Sequence, residues 1–413
     1  MTPARLAILF VSHMPASPPR FGAQARMHGL MTQLARHHDV TAVTLVDDEF
    51  DIEECRRAMQ VYCREVVLVR NPYGREGLLK RLLQLRSLAS TRSFDRLRVT
   101  VPALQRALDE VLRSRRFDVV NLEFPYLGQY HLRQAPPGER LPVLVVDSHE
   151  IAYDLARQFA QAGGSIGRRL YASANWRKLR REELDIYRKA DGVYLCSAAD
   201  ERRLLDQIPK AQTAVIPNAA DLEYYQARLT DPVPDARTVV YFGLLSTVPN
   251  IDAVTHFVQD IWPHIAAAHP EVHCKIIGGR PPPGLLALAG PRVELTGFVP
   301  DLRPHLAAAA AVVVPLRLGG GTRLKIVEAM AMGKAIVSTT LGAEGIEAAP
   351  ERDILIEDEP VAFANAVNRL LAEPGLAARI GQSAQRLAAE RYSWSGAAQS
   401  LQDFYRRILE SRP

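Results

Sequence analysis

AVVVPLRLGGGTRLKIVEAMAMGKA, residues 311–335, moves from an apolar β-branched run through three glycines into a stretch with apolar positions at helical spacing. An apolar run without alternation fits a strand covered on both faces. Strand, glycine loop and helix in that order make one half of a βαβ unit. Free backbone N–H groups and the positive end of a helix favour an anion at such a loop. Glycine lets a phosphate approach the backbone, and Arg323 and Lys325 can add charge-assisted hydrogen bonds. Glu328 follows one to two turns on, where a carboxylate can accept from a pair of ribose hydroxyls. Three glycines alone are commonly just a turn; it is the strand–loop–helix context with two bases and a carboxylate that points to a phosphate-bearing ligand.

Neighbouring motifs exclude two other nucleotide sites. Gly333-Lys334 is not a Walker A loop, because the position five residues earlier holds Glu328 and the next holds Ala335. Neither Ser12-His13-Met14 nor Gly243-Leu244-Leu245 continues into GxGxxG.

The same alternation extends over the chain. Strands are expected in the first half at Leu6–Ser12, Val40–Val46, Val66–Val69, Phe117–Glu123, Leu141–His149 and Asp191–Ser197. In the second half they are expected at Thr238–Gly243, Val272–Gly279, Val293–Gly297, Ala311–Leu316, Ala335–Thr340 and Asp353–Glu357. Two doubly wound α/β domains follow. A Pro-rich stretch, Asp231-Pro232-Val233-Pro234-Asp235, reads as a semi-rigid connector. The expected division is 1–217, a linker at 218–237, a second domain at 238–392, and a last helix at 393–413.

Length and composition agree with this. The chain has 413 residues, 47% apolar, 23% charged, enough for two or three cores. The four cysteines form no CxxC pair, which removes the usual zinc and dithiol readings. MTPARLAILFVSHMP reads as a buried first strand rather than a leader, so a cytoplasmic setting is expected.

Charge is divided unevenly. Residues 1–220 carry 33 Lys/Arg against 25 Asp/Glu, and residues 221–413 carry 18 against 21. Within the first half, residues 75–98 hold seven bases against two acids, and residues 168–189 eight against three. Apolar residues interleave with the bases at helical spacing, a pattern that suits either a solvated face or an anionic membrane surface. Aromatics do not interleave with them as stacking on nucleic acid requires, so no nucleic-acid partner is expected.

GGGTRLKIVEAMAMGKAIVSTTLGAEGI, with YFGLLSTVPNIDAV, VHCKIIGG, VELTGFVPDL and RYSWSGAAQSLQDFY, resembles the donor domain of family 4 glycosyltransferases with the GT-B fold. The resemblance extends to PPRFGAQARMHGLMTQLARHHDV and is strongest with a branch that carries a GGTRxK loop, of the exopolysaccharide sugar transferase type. It implies two Rossmann-like domains facing across a cleft, the first binding the acceptor and the second the nucleotide sugar, with the last helix crossing back.

Residue by residue, the resemblance implies that Glu328 binds the donor ribose and that Arg323 and Lys325 hold the diphosphate. Gly320, Gly321 and Thr322 would present backbone to phosphates and sugar. Gly297, Phe298 and Val299 match the base-contacting loop, and Gly243 opens the first donor-domain loop. Gly22 matches a glycine loop near the diphosphate, and His149 a histidine facing the transferred sugar. Two departures stand out: Gly320 occupies the place of a glutamate common eight residues before Glu328, and Gly243–Asn250 lacks the usual Arg and Lys.

The implied reaction is retaining transfer from a UDP- or GDP-linked sugar to a glycan or polyprenyl-diphosphate-linked acceptor. No cofactor or metal is expected, since placed cations can stabilise a departing diphosphate and no acidic DxD cluster ends a strand. A peripheral position on the inner membrane face is the expectation. The alternatives are a nucleotide-sugar epimerase on the same fold and a non-catalytic nucleotide-sugar or glycan-binding subunit.

Overall fold

The computed structural model describes residues 5–74, 77–135, 138–161, 166–227 and 237–412. They form two compact units, one of residues 1–217 with 397–413, the other of residues 218–396.

The first unit is built on β1 (Ala7–Ser12), β2 (Asp39–Val46), β3 (Glu65–Arg70), β4 (Val119–Glu123), β5 (Val143–Ser148), β6 (Gly192–Leu195) and β7 (Thr213–Val215). All pair in parallel in the order β3-β2-β1-β4-β5-β6-β7. Continuous apolar runs such as Val143–Val146 are buried throughout, as strands with helices on both faces must be. β7 lies outside the expected strands: three half-buried residues at the sheet edge carry too little pattern to be seen.

The second unit has β8 (Thr238–Phe242), β9 (His273–Ile277), β10 (Val293–Gly297), β11 (Ala311–Val314), β12 (Ile336–Ser338) and β13 (Leu355–Ile356), in the order β10-β9-β8-β11-β12-β13. In each sheet the chain winds outward, returns to the middle and winds the other way. The reversals fall between β1 and β4 and between β8 and β11. At such a switch point adjacent loops diverge and leave a crevice outside the carboxyl ends of the strands.

Residues 218–227, read from sequence as connector, belong with the second unit and contain a short helix, Leu222–Gln226. Asp221 caps it by accepting from the Tyr224 N–H, and Leu222 and Tyr225, three apart, pack on the core. The Asp231–Asp235 connector lies outside the described residues.

The closing helix, Trp394–Glu410, contributes its residues from Ala397 onward to the first unit. Leu401, Phe404, Tyr405 and Ile408 form its buried stripe at helical spacing. Phe404 lies against Gly192, where a Cβ would clash with its ring. The Tyr405 hydroxyl donates to Asn121 Oδ1 at 2.7 Å, and Arg407 to the Thr213 carbonyl at 2.6 Å.

Candidate functional site

The second unit's switch point carries most of the expected residues. Beyond β11 the chain makes the loop ending at Arg323, which precedes the helix Leu324–Ala331. Arg323 does not reach outward. Its Nη1 donates to the carbonyls of Gly320 and Gly321, the latter at 2.6 Å, and Nη2 to that of Leu341 at 3.4 Å. Arg323 is only 8% exposed, and at Gly319 (φ 146°) a Cβ would press on its guanidinium. Because a trans peptide is planar, carbonyls turned towards Arg323 turn the N–H groups of Gly321 and Thr322 away from it. The Thr322 hydroxyl is buried and meets no hydrogen-bond partner among the described residues. Arg323 thus shapes the loop and places positive charge beneath it, whereas the sequence reading has it grip phosphate directly.

Lys325 stretches from that helix to the loop after β8. Its Nζ lies 2.9 Å from the Tyr241 hydroxyl, 2.9 Å from Asn250 Oδ1 and 4.2 Å from the Tyr241 ring centre. Asn250 Nδ2 in turn donates to the Leu244 carbonyl at 2.8 Å. Lys325 therefore supplies positive charge beside Gly243–Asn250, which has none of its own. Burial, reinforced by repulsion from Arg323, pulls its ammonium down to about 7.

Glycines let the three neighbouring strand ends close over one another. The Gly243 N–H donates to the Ile277 carbonyl and the Gly278 N–H to that of Gly297. A Cβ on Gly278 would collide with the Gly243 carbonyl, and Gly297 has φ 74°. Phe298 then stands 67% exposed while Val299 packs on the core.

Glu328 lies one turn past Lys325, with Oε1 accepting from the Tyr225 hydroxyl at 2.8 Å. Burial raises its carboxyl, with Tyr225 and Lys325 opposing the rise. The sequence reading missed Tyr225, because a tyrosine a hundred residues away carries no local signal.

Gly22 and His149 belong to the first unit. Gly22 is exposed and begins the helix Gly22–Ala35. One turn on, Arg26 donates two-pronged to Asp147, with Nε 2.8 Å from Oδ2 and Nη2 3.0 Å from Oδ1. His149 Nε2 lies 2.8 Å from Glu123 Oε2 and 3.3 Å from Asp147 Oδ2. Glu123 and Asp147 are register partners on β4 and β5, so two buried carboxylates lie side by side. Burial works against charge on His149, but Asp147 and Glu123 overcome it and lift the imidazole to about 9. Phe124, held at φ 73°, stacks on that ring at 4.0 Å.

Glu123, Asp147 and His149 offer ligand atoms within 4.8 Å of one another, a spacing a cation can bridge. The donor set does not suit one: Arg26 already neutralises Asp147, and a second cation would face its guanidinium. Arg26 and Glu123 were missed by the sequence reading. The signal was present in Val119-Val120-Asn121-Leu122-Glu123, an apolar run with two polar residues that a buried strand must satisfy.

A glycosyl transferase 4-like domain matches residues 21–219, and a glycosyl transferases group 1 domain matches residues 236–373. No curated protein sequence matches the chain. Among solved structures, sucrose-phosphate synthase from Thermosynechococcus elongatus superposes with TM-score 0.75 at 19% identity, covering 99% of this chain and all of that one. Anabaena HepE with UDP and glucose gives 0.66 at 16%, covering 99% and 100%. A Staphylococcus aureus TarM variant with fondaparinux, α-GlcNAc-glycerol and UDP gives 0.66 at 11%, covering 97% and 100%. At these identities the likeness speaks for the fold. The chain has the GT-B architecture, and it is composed of two glycosyltransferase domains.

Proposed function

We propose that the chain transfers a sugar, with retention, from a UDP- or GDP-linked donor to a hydroxyl of a glycan or polyprenyl-diphosphate-linked acceptor in cell-surface polysaccharide synthesis. The observation that carries the nucleotide site is the grouping at one switch point of a glycine loop, an unsatisfied Thr322 hydroxyl, Lys325 and Glu328. Glu328 accepts from the ribose. Gly320, Gly321 and Thr322 meet the phosphates through backbone, with Lys325 as the direct cation and Arg323 as charge beneath the loop. Gly243 and Gly297–Val299 border the base and diphosphate. Gly22 and His149, in the acceptor-binding unit, serve the diphosphate and the transferred sugar.

The binding of UDP by HepE and TarM supports a nucleoside-diphosphate donor. Positive charge close to the leaving diphosphate stabilises it as its charge develops, and no metal is needed for that step. The enzyme works in the cytoplasm at the inner membrane face. The helix Leu78–Leu88 of the first unit, whose exposed Leu78, Leu82 and Leu85 are flanked by Arg81 and Arg86, supports the membrane part of this reading.

The test is acceptor-dependent release of nucleoside diphosphate in the presence of EDTA. Glu328→Ala and Arg323→Ala are expected to lower kcat/KM by about a hundredfold, or roughly 2.7 kcal/mol, and His149→Ala to lower turnover. Wild-type rates in both donor-site variants would reject the site. Consumption of donor without acceptor would identify an epimerase.

A further inference from the structure

Residues 218–227 reach three parts of the nucleotide site through three side chains. Asn218 Nδ2 donates to the Thr322 carbonyl in the phosphate loop at 3.1 Å. The Tyr224 hydroxyl donates to Asp301 Oδ1 at 2.9 Å, and the Arg303 guanidinium lies 4.0 Å over its ring centre. Arg303 also donates to the Tyr224 carbonyl at 3.1 Å, so Tyr224 is clamped to the segment that follows Gly297–Val299. The Tyr225 hydroxyl donates to Glu328 Oε1 at 2.8 Å. The rings of Tyr224 and Tyr225 meet edge to face at 5.1 Å, which links the base-side and ribose-side contacts within one helical turn.

A carboxylate that accepts from a ribose diol has to be charged and held in one rotamer. On the helix of Glu328, Lys325 lends charge, but its ammonium is turned towards Tyr241 and Asn250. The groups acting on the Glu328 charge are Tyr225 from the short helix and Lys325. The tyrosine hydroxyl is spent as a donor on one oxygen, and the remaining lone pairs stay available to ligand hydroxyls.

We infer that Tyr225 is a positioning residue of the donor site, its hydroxyl fixing the Glu328 carboxylate in the orientation that accepts the ribose hydroxyls. The inference rests on the reading of Glu328 as the ribose ligand. It extends that reading to a device: the short helix after Pro217 braces the base loop and the ribose carboxylate together, and Asn218 adds the phosphate loop. Removing the hydroxyl frees the carboxylate to rotate and, in its buried place, favours its protonated form. A protonated carboxyl gives up acceptor capacity, so the loss of affinity grows as pH falls.

The experiment uses the full chain and whichever of UDP, GDP and ADP it binds most tightly. Tyr225→Phe keeps the ring and removes only the hydroxyl. Its nucleotide Kd is expected to rise about fivefold, and by more at lower pH than at higher. Donor KM should rise likewise with kcat unchanged, as for loss of a contact made equally in ground and transition states. A variant with the wild-type Kd throughout the pH range, or with a loss that does not grow as pH falls, overturns the inference. Glu328→Ala separates the two levels. If it leaves nucleotide affinity intact, or if no nucleotide binds, the ribose reading fails and takes the inference with it. If it weakens binding and Tyr225→Phe does not, only the positioning role fails.

Discussion

Lys325 is a residue whose protonation a diphosphate bound at the proposed site would change. Held near 7 by burial and by Arg323, it is largely neutral above neutral pH, and an anion beside it raises its affinity for a proton. Between about pH 7 and the raised value the complex therefore holds more protons than the free partners. Titrating nucleoside diphosphate at pH 7.5 in buffers of different ionisation enthalpy should show proton uptake that fades below about pH 6. Lys325→Met should abolish it, and equal uptake in that variant would place the diphosphate elsewhere. Glu328, Lys325 and the glycine loop were legible in the sequence because one short segment contains them all. Tyr225, Arg26 and Glu123 were not, because each acts through a partner that the fold brings from 26 to 121 positions away. Arg323 shows a subtler limit: its identity was legible, but the inward turn of its side chain depends on carbonyls that only the folded loop aligns.

At the scale of elements, the strand ends under the site are set by backbone contact. Gly278 lies against the Gly243 carbonyl, a neighbour that cannot rotate away as a side chain can. Gly278→Ala should therefore destabilise the second unit by about 1–3 kcal/mol and weaken nucleotide binding. Gly284→Ala is the control, since a Cβ there meets nothing within 4 Å. Equal melting temperatures for the two variants would show that the strand ends can separate freely. Twelve strands were legible because buried β-branched runs recur between helical stretches. β7 escaped because three edge residues need only satisfy one neighbour, and the Leu222–Gln226 helix because its five residues lie in a stretch whose prolines dominate the reading.

At the scale of the whole molecule, the excess of bases over acids belongs to residues 1–220 and gains a location from one helix. In Leu78–Leu88, Leu83 and Ser87 face the protein. On the opposite side Leu78, Leu82 and Leu85 are 74%, 52% and 63% exposed. Exposed Arg81 and Arg86 flank that stripe at helical spacing. Arg75 and Glu76, the start of the basic stretch, lie outside the described residues. Leucines in water between arginines are costly unless something covers them, and an anionic bilayer satisfies both. Each leucine entering the interface contributes up to about 1.5–3 kcal/mol, and each nearby base about 1 kcal/mol. No helix among the described residues is long and apolar enough to cross a membrane, so attachment through this face would be reversible and salt-sensitive. The chain should float with phosphatidylglycerol vesicles at low salt and less with neutral ones. Leu82→Glu with Leu85→Glu should release it while leaving nucleotide affinity unchanged, because the proposed nucleotide site belongs to the other unit. Undiminished flotation of that double variant would move the membrane contact to residues 168–189, and no flotation of the wild type would leave the basic face to an anionic acceptor alone.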